Sequence, residues 1–134
     1  MKTLKSSVLL AVAGLLLLAG SGCGATNPSN PRLLTGITLS PATADAQSFP
    51  NGQVQFSAVA HYNAAPTTVN PFSPTSWLST DGNIATVDQS GLAQCVRGAV
   101  GSADIQGIAP ISGPGSGATP AAPLVRGTAV LMCP

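Results

Sequence analysis

The sequence predicts an all-β sandwich, on the strength of three observations. Between Thr75 and Gly107, short apolar alternations are separated by Gly, Asp and Asn at regular intervals. This spacing is typical of a sandwich or barrel, because turn residues supply backbone conformations that β-branched residues resist. A second alternation, with a period of two, runs from Val54 to Tyr62. Neither stretch carries the 3.6-residue period of a helix, so we expect strands throughout.

The first predicted strand places Ile37 and Leu39 on the core side, and Pro41 ends it. Residues 42–51 form a polar crossing that closes in a turn. The next strand has the clearest alternation in the chain, and every second residue is predicted to face inward. These inward residues are Val54, Phe56, Ala58, Ala60 and Tyr62. We expect Phe56 and Tyr62 to anchor the core.

The segment from Asn63 to Pro74 contains three prolines, which cannot donate to a strand ladder, so it is predicted to be a loop or an edge segment. Trp77 then returns the chain to the core. A lone Trp in a sandwich strand is usually a central core residue. The alternative is a platform on which a sugar ring stacks, as in carbohydrate-binding modules.

Three short strands follow, over residues 84–87, 92–96 and 102–108, each bounded by Gly or Asp turns. Their predicted inward residues are Ala85, Val87, Ala93, Cys95, Ala103 and Ile105. A Pro/Gly-rich segment at about 109–123 is predicted to be a loop. The last strand runs from Gly127 to Cys133. We assign this last strand to the same domain, because the chain offers it no strands outside that domain with which to pair.

The order of these motifs resembles the bacterial immunoglobulin-like domain, group 2. The resemblance rests on GITLSP at 36–41, GQVQFSA at 52–58, Trp77, IATVD at 84–88, SGL at 90–92 and Gly101-Ser102-Ala103-Asp104-Ile105. It covers residues 34–108. It implies a two-sheet antiparallel immunoglobulin-like sandwich and a place in a surface protein or adhesin, as a spacer or a binding module.

The N-terminus has the pattern of an export signal. Lys2 and Lys5 precede a continuous apolar run from Val8 to Ala19, which is short for a membrane span. Small residues then lead to Cys23, as in the lipobox of bacterial lipoproteins. We therefore predict a signal peptide over 1–22, lipidation of Cys23, and a flexible tether over 23–33. Ordinary secretory cleavage and an uncleaved anchor are the alternatives.

The chain contains three cysteines, an odd number for an exported protein. Lipidation of Cys23 would leave an even pair. We predict that Cys95 and Cys133 form a disulfide that holds the C-terminal strand to the sheet.

Composition gives little support for catalysis or for nucleic-acid binding. Only 7% of the residues are charged, and the four acids are all Asp. The chain has one histidine, His61, which is predicted to face solvent. Glycosidases need two carboxylates across one cleft, and nucleophilic hydrolases need a base beside the nucleophile. We expect no enzyme activity, cofactor or metal site. The Asp and Asn residues at 81–88 are more typical of turns than of a calcium site.

These observations predict a non-catalytic module, held in the cell envelope through the lipid on Cys23, for protein interaction, adhesion or structural support. The alternative is a module that binds an envelope glycan or a metal ion. In localisation, the alternative is a soluble periplasmic or secreted protein. The domain is predicted to span residues 34–134.

Overall fold

The computed structural model describes residues 31–114 and 122–134, and within them the chain is an all-β, sandwich-like protein. The predicted fold class is therefore confirmed. The described strands are β1 (Leu34–Ser40), β2 (Thr43–Asp45), β3 (Gln53–Gln55), β4 (Ser57–Tyr62), β5 (Thr68–Phe72), β6 (Ser76–Ser79), β7 (Ala85–Val87), β8 (Leu92–Cys95), β9 (Gly101–Pro110) and β10 (Leu124–Cys133). Two short 3₁₀ turns, Ala46–Ser48 and Pro50–Gly52, connect β2 to β3.

The described strands form three hydrogen-bonded sheets, where the resemblance implied two. Their strand orders are β1-β4-β5, β2-β10-β9-β6 and β3-β8-β7. All neighbouring strands are antiparallel except β2 and β10, which are parallel. Two of the changes from one sheet to another take place within one or two residues, at Pro41 and Ala42 between β1 and β2, and at Phe56 between β3 and β4.

The second of these changes divides the strand that was predicted to run unbroken from Val54 to Tyr62. Gln53–Gln55 pairs with β8, whereas Ser57–Tyr62 pairs with β1. Between them, the Phe56 amide donates to Gly91 O at 2.9 Å. The inward alternation survives the change, because the side chains at 54, 56, 58 and 60 are at most 1% exposed. Tyr62 is half-buried and packs against the core.

The core combines a few large side chains with many alanines. Phe56, Leu34, Ile105, Leu131 and Val54 are its largest fully buried members. Small residues let the layers approach closely, and the tightest such place is Gly127 on β10. A Cβ added there would lie 2.5 Å from Ile37 O on β1. Such a contact lies well inside van der Waals distance, so only glycine fits at this crossing.

The proline-rich segment, predicted to be a loop or an edge segment, contains the edge strand β5, where Pro71 needs no ladder partner. The polar crossing contains β2, which pairs with the last strand. Strand β9 ends at Pro110 and strand β10 begins at Leu124, so both strands are longer than predicted. Residues Pro31–Pro134 belong to one compact unit.

Candidate functional site

The disulfide between Cys95 and Cys133 closes one end of the domain, which we call the disulfide end. Cys95 is the last residue of β8, and Cys133 is the last residue of β10. Their Cα atoms are 5.7 Å apart, and Cys133 is only 3% exposed. The predicted pairing is therefore confirmed. Because β8 and β10 belong to different sheets, the bond connects these two sheets covalently.

Hydrogen bonds close the opposite end, where Pro31–Leu33 lies against the connection between β4 and β5. The Leu33 amide donates to Asn63 Oδ1 at 2.7 Å, and the Asn63 amide donates to Leu33 O at 3.0 Å. Asn63 Nδ2 also donates to Pro31 O at 3.3 Å. We call this contact between Pro31–Leu33 and Tyr62–Pro66 the N-terminal clasp. It holds the last three residues of the segment predicted to be a flexible tether.

Arg32 completes the N-terminal clasp. Its guanidinium carbon lies 3.6 Å from the centre of the Tyr62 ring, at a distance typical of a cation–π contact. Nε donates to Ala64 O at 3.3 Å, and Nη2 donates to Pro66 O. Neither partner carries a formal charge, so the guanidinium keeps its full positive charge at this end of the domain.

Trp77 lies in the core, 8% exposed, on strand β6. The turn after β7 covers its ring: a Cβ added at Gly91 would lie 2.9 Å from Trp77 Cζ2. Gly91 has a φ of +83°, which also favours glycine. The rest of the indole borders a groove of about 250 Å³, lined by Gln55, Phe56, Ser57, Ala58, Pro71, Phe72, Ser73, Pro74, Trp77, Gln89 and Ser90. None of these side chains ionises near neutral pH.

The aspartates that a calcium site would need are engaged in turns. Asp81 Oδ1 accepts a hydrogen bond from the Asn83 amide at 2.9 Å. Asp88 Oδ1 accepts from Ser90 Oγ, from the Ser90 amide and from the Leu92 amide, at 2.7, 2.8 and 3.0 Å. These bonds hold the pKa of Asp88 below its usual range, and the bond from the Ser90 side chain contributes most. Within residues 31–114 and 122–134, no group of three or more His, Cys, Asp or Glu is placed to bind a metal ion.

His61 is half-buried on β4, and its Nε2 lies 3.0 Å from Thr38 Oγ1 on β1. The histidine thus takes part in a cross-strand contact on its sheet. Cys23, the predicted lipidation site, and the predicted signal peptide lie outside the described residues. Among the described residues, no helix is long and apolar enough to cross a membrane.

Sequence reasoning found the disulfide and the burial of Trp77 but missed the N-terminal clasp. The clasp joins residues about 30 positions apart, and neither Arg32 nor Asn63 lies in a recognisable motif. Comparison of the chain with protein-family models and with curated proteins finds no match.

Proposed function

We propose that this protein is a non-catalytic immunoglobulin-like module of the bacterial immunoglobulin-like group 2 type, exported and held in the cell envelope by a lipid on Cys23. The observation that carries this proposal is the Cys95–Cys133 disulfide. Disulfides persist in oxidising compartments, which supports export. With these two cysteines paired, Cys23 is the one cysteine that remains, and small residues precede it as in a lipobox.

The exposed face of the sheet β3-β8-β7 supports a role in protein interaction or adhesion. It carries neutral polar side chains, among them Gln53, Thr86 and Gln94. Gln53 Nε2 donates to Gln94 Oε1 across the strands at 3.1 Å. Neutral amides exchange hydrogen bonds with water for bonds with a partner without the desolvation cost of a charge. This face therefore suits a partner with polar, uncharged chemistry.

Substitution of the single unpaired cysteine tests the anchoring. We expect the wild-type protein to sediment with membranes and to be released by detergent, whereas Cys23→Ser appears in the soluble fraction. The double variant Cys95→Ser/Cys133→Ser is the matched control, because it removes two thiols without touching the anchor, and it should still sediment. If Cys23→Ser sediments like the wild type, the lipid anchor is wrong and an uncleaved apolar segment holds the protein.

The groove beside Trp77 favours a second candidate function, binding of a neutral envelope glycan. Its aromatic and proline floor suits the apolar face of a sugar, and its Gln and Ser rim suits the hydroxyl groups. Because Trp77 is buried, its truncation would destabilise the fold by about 3–5 kcal/mol and confuse the test. The exposed Gln89 is the better target.

A glycan array with purified wild-type protein, followed by titration of any glycan that binds, tests this candidate. Gln89→Ala should weaken saturable binding, whereas Gln94→Ala, on the face of the β3-β8-β7 sheet, should not. Absence of saturable binding by the wild type, or equal loss in both variants, would exclude the groove as a glycan site.

A further inference from the structure

The charged side chains are unevenly distributed along the length of the domain. Leu34 N donates to Ile111 O at 2.7 Å, so the start of β1, the end of β9 and the start of β10 lie together at the end that carries the N-terminal clasp. We call this the clasp end. Arg32 belongs to it, and the exposed Arg126 lies only two residues from Leu124, or roughly 7 Å along the strand.

All four aspartates lie far from the clasp end. Asp104 is six residues from Pro110 along β9, roughly 20 Å at the rise of a strand. Asp81 is near the same level, since the preceding Thr80 amide donates to Asp104 O. Asp45 lies further away, because it pairs with Met132 at the opposite end of β10.

Asp88 is equally remote from the clasp end. Its turn contacts Phe56 through the Gly91 carbonyl. Phe56 is six residues before Tyr62, which is again roughly 20 Å at the rise of a strand. In physiological salt, interactions between exposed charges are largely screened beyond about 8 Å. The aspartates therefore leave the positive charge of the clasp end essentially uncompensated.

The clasp end also exposes apolar surface. Leu124, its first residue on β10, is 57% exposed. Two arginines and an exposed leucine thus lie at the same end of the domain, far from the four aspartates, and this end complements an anionic, partly apolar partner.

We propose that the clasp end docks against the anionic phospholipid headgroups of the membrane that holds the protein. This inference rests on the proposed lipid anchor. Seven residues separate Cys23 from Pro31, so their Cα atoms are at most roughly 28 Å apart. Because the N-terminal clasp fixes the chain at this end, the anchor delivers the clasp end, with its arginines, to the bilayer surface.

A tryptophan placed at either end of β10 tests the docking in the full, mature, lipidated protein. Leu124→Trp probes the clasp end, and Met132→Trp, at a residue 42% exposed near the disulfide end, is the matched control. Both proteins are reconstituted in vesicles of phosphatidylglycerol and phosphatidylcholine with brominated acyl chains. We expect strong quenching and a blue shift for Leu124→Trp, and for Met132→Trp only the quenching of the wild type. Equal quenching of the two variants would overturn the proposal.

A second pair of variants tests whether charge drives the docking. In the Leu124→Trp protein, Arg126→Gln should reduce the ratio of docked to undocked molecules about five-fold, as expected for one arginine at an anionic surface. Arg97→Gln removes the same charge from an exposed position beyond Cys95 and should change nothing. Quenching that persists in pure phosphatidylcholine vesicles would contradict recognition of anionic headgroups.

The intact mass of the same preparation distinguishes failure of the lipid anchor from failure of the docking. If the protein carries no acyl chains, both the proposed anchor and the proposed docking are wrong. If it is acylated but the two variants are quenched equally, only the docking is wrong.

Discussion

The two ends of the sandwich are closed in different ways. At the disulfide end, a covalent bond joins strands of two sheets, and Cys133 is buried. At the clasp end, the Asn63 side chain accepts a hydrogen bond from the Leu33 amide and donates one to Pro31 O, and Arg32 stacks on Tyr62. The covalent bond also constrains the unfolded chain, whereas the N-terminal clasp acts only in the folded state. We therefore expect the two ends to contribute unequally to stability.

Removal of the disulfide should have the largest effect. The bond spans a sequence separation of 38 residues, for which the chain-entropy model gives about 4 kcal/mol. Urea unfolding of Cys95→Ala/Cys133→Ala should show this loss. It should also show a steeper dependence on urea, because the uncrosslinked chain exposes more surface when unfolded.

Wild-type protein unfolded under reducing conditions is the control for the side-chain substitutions, and it should match the double variant. A loss below about 1 kcal/mol in both would mean that the two ends contribute alike, contrary to this comparison.

Disruption of the N-terminal clasp should have a smaller effect. Asn63→Ala removes the acceptor for the Leu33 amide and the donor to Pro31 O. Since both bonds are exposed, we expect a loss of about 1 kcal/mol. Faster hydrogen exchange of the Leu33 amide should accompany it, while exchange near Cys133 stays unchanged.

Asn83→Ala is the matched control, because Asn83 is exposed and only its backbone amide makes a hydrogen bond in the described part of the chain. It should leave the free energy of unfolding and the exchange of Leu33 as in the wild type. If Asn63→Ala unfolds the whole domain, the N-terminal clasp is as important as the disulfide and the comparison fails.

Asp88, which belongs to neither end, should have the smallest effect. Its hydrogen bonds lower its pKa in the folded state, so its contribution is present above the unfolded pKa and is lost as pH falls through the folded one. When the pH falls below the usual pKa range of aspartate, we expect the free energy of unfolding to decrease slightly more in the wild type than in Asp88→Asn. Chemical denaturation at a series of acidic pH values measures this difference, and parallel curves would argue against it.

The sequence predicted much of the core but not the strand pairing. The period of two at residues 54–60 predicts burial correctly, because side-chain direction follows from strand geometry alone. It does not predict the change of sheet at Phe56. That change depends on a bond to Gly91, which is 35 residues away, and on the tight turn that Gly91 permits.

The candidate sites also differ in whether the sequence alone predicts them. Cysteine parity pointed to the Cys95–Cys133 bond, since pairing is a countable chemical requirement. The N-terminal clasp escaped detection because backbone carbonyls receive the Arg32 side chain, and carbonyls are present at every residue. The uneven charge distribution also required the strand register, which places residues distant in sequence at the same level.

Intact mass spectrometry of the mature protein recovered from the envelope, with and without reductant, tests the central claim most directly. A domain closed covalently at one end and anchored through Cys23 at the other should start at Cys23, carry acyl chains, and gain two hydrogen masses on reduction. A chain that lacks acyl chains, or whose mass does not change with reductant, would contradict the account.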